Sequence, residues 1–207
     1  PSPGTGINDT IIGRNAGVAI TSGDHNTIIG AEVGDAITTV SESIVIGSRA
    51  GRGVFSIAGN TIIGVLAGNA YAVVADTDGP STFIGYKAGE LVTTGDGHVL
   101  IGSNAGKAIT TGSRNTIIGA GAGSLLTGSG AVLIGVKAGQ NLTTGGANVA
   151  IGSDSAKGIA TGVSNVHVGI WAGAAFASAL SHTILIGDAA GGTVMTGNFN
   201  VAIGTTA

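Results

Sequence analysis

Two aspartates of this 207-residue chain have the side-chain type and the spacing of metal ligands. Asp76 and Asp78 lie in the run ADTDGP, and a D-x-D-G spacing is similar to part of a calcium-binding loop. No glutamate follows at the twelfth position of such a loop, and Asp-Gly pairs are also typical of polar turns. We favour the polar turn and keep calcium binding as the alternative.

Catalysis would require acids, bases or nucleophiles that come together in a cluster. The eleven carboxylates of this chain are spread singly, mainly at turn positions, and no Ser-His-Asp arrangement or phosphate-binding loop is recognisable. The absence of cysteine excludes disulfides and thiolate metal sites. We therefore predict that the protein is not an enzyme and that it uses no cofactor.

The composition excludes two further classes of partner. Charged residues are 9% of the chain, the net charge is −3, and the basic residues are scattered, whereas nucleic-acid-binding proteins usually carry a basic patch. The mean hydropathy is +0.49, but glycine interrupts the apolar runs far below the roughly 20 residues that a membrane-spanning helix needs. We expect neither nucleic-acid binding nor membrane insertion.

Glycine accounts for 40 residues, and many of these glycines define an internal repeat. A short β-type run that ends in Ile-Gly, or once in Val-Gly, recurs twelve times, mostly at a spacing of 17 residues with single spacings of 16, 18 and 21. The repeat extends from Gly13 to Gly204, so residues 1–207 are predicted to form a single repetitive domain.

A period of 17 residues is too short for helical repeats, which have periods of roughly 33–47 residues. It fits one coil of a β-solenoid, with a first strand such as NTIIG at 26–30, a second strand such as VTTG at 92–95, and a glycine-containing turn after each. The sequence therefore predicts an all-β, parallel β-solenoid of about twelve coils.

Side chains alternate between the two faces of a strand, so the residues of each repeat can be assigned to faces. The residue before the glycine is isoleucine in eleven repeats, and the residue two positions earlier is always Thr, Val or Ile. We predict that these two uniform columns line the interior. The column between them should then face outward, and its predicted interface members are Ile11, Ile28, Val45, Ile62, Phe83, Leu100, Ile117, Leu133, His167 and Leu185.

An outward apolar column along a rod predicts contact between copies of the chain, because large exposed apolar patches usually mark interfaces. A rod with such a column packs best around a parallel rotation axis, which produces a fibre. We prefer three copies, a homotrimer. Three copies of His167 would then meet near the axis, where they could bind a metal ion or an anion, although a hydrogen-bonded histidine is the more ordinary interpretation.

The repeat NTIIGAEVGDAITT resembles the repeats of trimeric phage tail fibres. The segment NVAIGSDSAKGIATG, residues 148–162, is similar to repeats in the heads of trimeric autotransporter adhesins. The resemblance implies a left-handed β-roll and a homotrimer. It also implies a fibre shaft or adhesin on a virion or cell surface, outside the cell, whose partner is a surface receptor or a glycan.

One repeat departs from the pattern, because four extra residues separate Gly64 from Gly85. The insertion lies within residues 69–83, and a loop that protrudes from a regular shaft is a candidate for recognition. We therefore predict a recognition loop that contains Tyr71, Asp76 and Asp78.

Two alternative functions remain open. Threonine pairs such as Thr110–Thr111 recur in the predicted second strand and resemble the threonine ladders of ice-binding solenoids, but this ladder is interrupted at several repeats. The rod could also be the subunit of a self-polymerising extracellular filament, because the ends of a solenoid expose unpaired strand edges.

Overall fold

The computed structural model describes residues 7–53, 58–73, 79–175, 180–192 and 197–207. In these ranges the chain forms one parallel sheet of twelve three-residue strands and no helix. The all-β parallel solenoid predicted from the repeat is confirmed. The strands are β1 Thr10–Ile12, β2 Thr27–Ile29, β3 Ile44–Ile46, β4 Thr61–Ile63, β5 Thr82–Ile84, β6 Val99–Ile101, β7 Thr116–Ile118, β8 Val132–Ile134, β9 Val149–Ile151, β10 Val166–Val168, β11 Ile184–Ile186 and β12 Val201–Ile203.

The strands lie in the sheet in sequence order, and each pairs with the next at the same position of the repeat. Ile28 is opposite Val45, for example. The four extra residues between β4 and β5 leave this register unchanged, because Ile62 is opposite Phe83. Each strand therefore begins one coil of the solenoid, and we name each coil after its strand.

The prediction of a second strand in each coil is wrong for the described residues. In the β5 coil, the N–H groups of Thr93 and Thr94 both donate to the carbonyl of Thr110 in the next coil, at 2.8 and 3.3 Å. A carbonyl that is shared by two successive residues cannot belong to a regular ladder, in which each group pairs once. We call the segments that contain the threonine pairs, such as residues 92–95 and 109–112, the threonine segments. Backbone hydrogen bonds join them from coil to coil, but they do not form a second sheet.

The glycine that ends each strand is required by the close stacking of the coils. These twelve glycines have φ between +130° and +145°, a region that L side chains rarely adopt. A Cβ atom on Gly102 would lie 2.7 Å from the carbonyl carbon and oxygen of Gly119 in the next coil. Because that obstacle is backbone, it cannot rotate away. Glycine at this corner thus permits the spacing of a β-ladder, about 4.8 Å.

Gly102→Ala is expected to destabilise the protein by about 3 kcal/mol or more, through overpacking combined with backbone strain. Gly121→Ala is a matched control, because its φ of +68° is also positive but a Cβ would meet only the Cγ of Lys137, at 3.7 Å. The control should lose about 1–2 kcal/mol. Urea unfolding followed by circular dichroism measures both losses, and equal losses would contradict the importance of coil spacing.

Each coil whose returning segment is among the described residues closes around three interior positions. In the β6 coil these are the strand centre Leu100, the turn alanine Ala105 and, on the returning segment, Ile109, each 0% exposed. In the β4 coil, which carries the four extra residues, the returning segment contributes Tyr71, whose ring meets Phe83 edge-on at a centroid distance of 5.1 Å. Each such coil thus adds a few buried side chains to one continuous core. This explains how a chain with few large side chains builds an interior.

From β2 to β11, the position two residues before the strand centre is buried and usually polar, and most of its polar side chains join neighbouring coils. The Oδ1 of Asn165 accepts a hydrogen bond from the N–H of Thr183 at 3.0 Å, and its Nδ2 donates to the carbonyl of Leu180 at 2.8 Å. Equivalent Oδ1 bonds to the following coil are made by Asn26, Asn60, Asn115 and Asn148. This asparagine ladder satisfies backbone groups that the three-residue strands leave unpaired.

Asn165→Ala should destabilise the protein by about 3 kcal/mol, because it leaves the N–H of Thr183 and the carbonyl of Leu180 buried without these partners. Asn141→Ala, at an exposed asparagine, should change stability by less than about 0.5 kcal/mol. Thermal unfolding of both variants tests the ladder. A loss at Asn165 as small as that at Asn141 would show that the ladder does not stabilise the stack.

Candidate interaction surface

The candidate functional site is the side of the sheet that faces away from the interior. We define the outer sheet face as the first and third residues of strands β1 to β12, which the pleat directs opposite to the strand centre. In β7, Thr116 and Ile118 are half-buried, whereas Ile117 between them is 0% exposed. From β2 to β12, the central residue is the only buried residue of its strand.

The outer sheet face is composed entirely of β-branched residues. The third residue is isoleucine in eleven strands, and the first residue is threonine in five, valine in five and isoleucine in two. Such side chains have restricted rotamers and pack well on a pleated surface. Twelve coils at about 4.8 Å each give this face a length of about 55 Å. It is an unbroken surface with no charged residue.

The prediction that the strand-centre column faces outward is wrong. The column lies inside a single chain and therefore cannot contact another copy. Nine of the predicted interface residues are 0% exposed: Ile28, Val45, Ile62, Phe83, Leu100, Ile117, Leu133, His167 and Leu185. The tenth, Ile11, is 41% exposed because it lies in β1, which has a strand neighbour on one side only.

The sequence contains a signal that assigns the faces correctly. Threonine occurs five times among the first residues of the strands and never among the central residues. Side-chain size also varies in the central column, from Ala150 to Phe83, whereas the outward columns are nearly uniform. A hydroxyl is tolerated on a surface more readily than in a core. Uniformity of a column therefore indicates a surface here, and the predicted interior position of the two uniform columns is wrong.

Four large apolar residues extend the outer sheet face at one edge. They follow the strand-ending glycines of β4, β5, β8 and β10, and they are Val65 at 47%, Tyr86 at 50%, Val136 at 49% and Ile170 at 52% exposed. Each lies two residues beyond an outward isoleucine or valine. These four residues therefore add exposed apolar area beside the strands of their own coils.

Charged residues of the turns that follow the strands form ion pairs, and several of these pairs join neighbouring coils. Glu32 accepts from Arg49 and Arg14, each at 2.9 Å, and these two guanidinium groups lower the pKa of the Glu32 carboxyl. Arg52 pairs in the same way with Asp35 of the preceding coil at 3.1 Å. Exposed pairs of this kind add little stability. Their charges offset one another, so these turns present no basic stripe.

Two buried histidines are the unusual groups of the interior. His98 accepts a hydrogen bond at Nδ1 from the N–H of Asn115, at 3.3 Å, and therefore takes a place in the asparagine ladder. Both ring nitrogens of His167 are buried without a hydrogen-bond partner. Desolvation lowers the pKa of each histidine to about 4, against a weak opposing effect at His98 from the Gly112 carbonyl and from Asp96. Both rings are neutral at pH 7.

Acid should therefore destabilise the fold. In the unfolded chain a histidine has a pKa near 6.5, so between about pH 6.5 and pH 4 the unfolded state binds more protons than the native state. The contribution of each neutral histidine to the free energy of unfolding is fully present above about pH 6.5. It falls by about 3 kcal/mol between about pH 6.5 and pH 4, and it changes little below about pH 4. Urea unfolding at pH 7 and pH 4.5 measures the fall.

His167→Leu is the control for this acid effect, because leucine occupies the same column at Leu133 and Leu185. The variant should lose the share of the pH dependence that His167 contributes, and it should keep the share of His98. An unchanged pH dependence would contradict the assignment.

The other predicted site residues divide into two groups. Tyr71 is 0% exposed, and its hydroxyl lies 3.3 Å from the Ser81 Oγ, so the prediction that it contacts a receptor is wrong. His167 also lies in the core of one chain, so three copies cannot meet around a metal ion. Asp76 and Asp78 lie outside the described residues, and their predicted roles stay predictions.

The threonine segments present two different columns. In the inner column the hydroxyls of Thr93 and Thr143 donate to carbonyls of the next coil, at 3.0 and 2.9 Å. In the outer column Thr94, Thr111 and Thr144 are exposed. The hydroxyls of Thr93 and Thr143 are therefore already bonded to backbone, so they are less available to bind ice than the sequence pattern suggests.

Two further features of the described ranges limit the chemistry of the site. Within them, no three histidine or carboxylate side chains come close enough together to hold a metal ion. The same ranges contain no helix with the length and apolar character needed to cross a membrane.

Comparisons of the chain with protein-family models, with curated proteins and with solved structures give no significant match. The repeat and the geometry of the outer sheet face are consequently the features that bear on function.

Proposed function

We propose that this protein is a structural fibre shaft or adhesin, in which copies of the chain associate through the outer sheet face. The observation that carries the proposal is the unbroken, β-branched and uncharged surface that extends along all twelve strands. Contiguous apolar surfaces of this size on a single chain usually mark a site of association. The role is mechanical and adhesive, without a catalytic step.

The size of the outer sheet face supports a specific interface. Its two columns are about 7 Å apart and about 55 Å long, so with side chains about 10 Å wide it covers about 500 Å². Two chains would together bury about 1,000 Å², near the lower bound for specific interfaces. The large residues at the edge, such as Tyr86 and Ile170, add to this area.

Three parallel copies are the arrangement that the repeat resemblance implies. A cyclic arrangement also suits the geometry, because a straight apolar face parallel to the rod axis can turn toward a rotation axis in every copy. The outer sheet face would then lie inside the fibre, and the threonine segments would lie outside. We place this fibre on a virion or cell surface, where its exposed sides would meet a receptor or a glycan.

Charges introduced on the outer sheet face should separate the copies. The triple variant Thr82→Lys, Thr116→Lys and Val166→Lys alters half-buried positions of β5, β7 and β10, where lysine can keep its aliphatic stem along the sheet. In the assembly these ammonium groups would be buried near one another at a cost of several kcal/mol. The mass by sedimentation equilibrium should fall to that of one chain.

The matched control introduces the same three charges at exposed positions of the threonine segments, Thr39→Lys, Thr94→Lys and Thr111→Lys. It should keep the mass of the wild-type assembly, and circular dichroism checks that both variants are folded. An assembly that survives the outer-face substitutions would refute the proposed interface.

A further inference from the structure

We infer that copies of this chain associate most tightly along the last four coils, β9 to β12, and that these coils depend on the association for their stability. The inference rests on the proposed assembly and adds where it is strongest. It follows from two opposite trends along the rod, one on the outer sheet face and one in the interior.

The outer sheet face becomes fully apolar toward the end of the sheet. All five threonines of its first column lie in β1 to β7, and from β8 onward that column contains only valine and isoleucine. A threonine that becomes buried between chains must find a partner for its hydroxyl, whereas a valine of nearly the same shape has no such requirement. Association should therefore gain more per coil in the later strands.

The strand centres become less apolar over the last four coils. The strand centres of β2 to β8 are all Val, Ile, Leu or Phe, whereas those of β9 to β12 are Ala150, His167, Leu185 and Ala202. Two of these four are alanine, which buries little apolar surface. His167 adds two buried ring nitrogens that lack hydrogen-bond partners, which is costly in a core.

The β9 coil has a further local weakness at its turn. Ala156 adopts φ of +53° at the corner where the other coils of the described chain place glycine, for example Gly139 at +57°. A left-handed conformation is less favourable for alanine than for glycine. The turn alanine before this corner is also replaced, by Ser155, whose Oγ donates to the carbonyl of His167 at 3.0 Å.

The outward isoleucines of these coils are the more exposed ones. Ile151, Ile184 and Ile186 are 38%, 39% and 38% exposed, whereas from β2 to β8 only Ile44, at 40%, is exposed to a similar extent among the outward residues. None of the three lies in a terminal strand, so the end of the sheet does not explain their exposure.

A coil with a small or polar strand centre and a fully apolar outer face should gain more of its stability from a partner. The occupant of the outer sheet face at β9 to β12 is then a second copy of the same chain, which supplies the matching face at the same height. Dissociation should accordingly loosen β9 to β11 before it affects the better-filled coils β2 to β8. β12 has a strand neighbour on one side only, so its hydrogen exchange does not report on association alone.

Hydrogen exchange of the full chain across a dilution series tests the dependence. At concentrations where light scattering reports the dissociated chain, amides of β9 to β11 should exchange at least about tenfold faster than in the assembly, whereas amides of β2 to β8 should change little. A uniform change along the rod would overturn the inference, and so would the absence of any change.

Val166→Thr and Val99→Thr test the strength of association with one change of matched shape. Each introduces a hydroxyl at the first position of an outward strand, where threonine occurs naturally in other coils, so both variants should fold. Val166→Thr in β10 should weaken association at least about tenfold, and Val99→Thr in β6 should weaken it clearly less. Equal effects of the two variants would overturn the inference.

The wild-type mass separates this inference from the proposed function. If the wild-type chain is monomeric at all concentrations, the proposed assembly fails and the inference fails with it. If the wild type is assembled but both variants weaken the assembly equally, the proposed function survives. Only the inference that association is tightest along β9 to β12 is then refuted.

Discussion

Backbone stacked directly on backbone at the strand-ending glycines is the constraint on which the rest of this structure depends. With φ near +130° and the next coil in contact, as at Gly102 and Gly119, the corner admits no Cβ. Neighbouring coils must therefore follow the same path through the strand and this corner, whatever their other residues are. The insertion between β4 and β5 illustrates this, because the strands on both sides keep their register.

That fixed path decides what each side chain can do. With strands of three residues, one position points inward and two point outward, so two of the three side chains of each strand cannot be fully buried by their own chain. Single residues from three segments fill the interior of a coil, such as Leu100, Ala105 and Ile109, and the asparagine ladder lies beside them. What remains is a long apolar face on a slender rod, and a partner is the simplest way to cover it.

The period of the repeat was enough to predict the fold class, because twelve Ile-Gly corners at nearly equal spacing leave few alternatives to a solenoid. The predicted assignment of the faces is wrong, because uniform isoleucine is typical of cores as well as of packed surfaces, and the column that varies from Ala150 to Phe83 is the buried one. Burial of Tyr71 could not be foreseen from an insertion that looked like a surface loop. The roles predicted for Asp76 and Asp78 lie outside the described residues.

The mass of the wild-type chain in solution is the most direct test of the central claim, that the outer sheet face is covered by further copies of the same chain. Light scattering on the chromatographically separated protein should report about three times the chain mass of 19.7 kDa. A mass of 19.7 kDa that persists at high protein concentration would contradict the account.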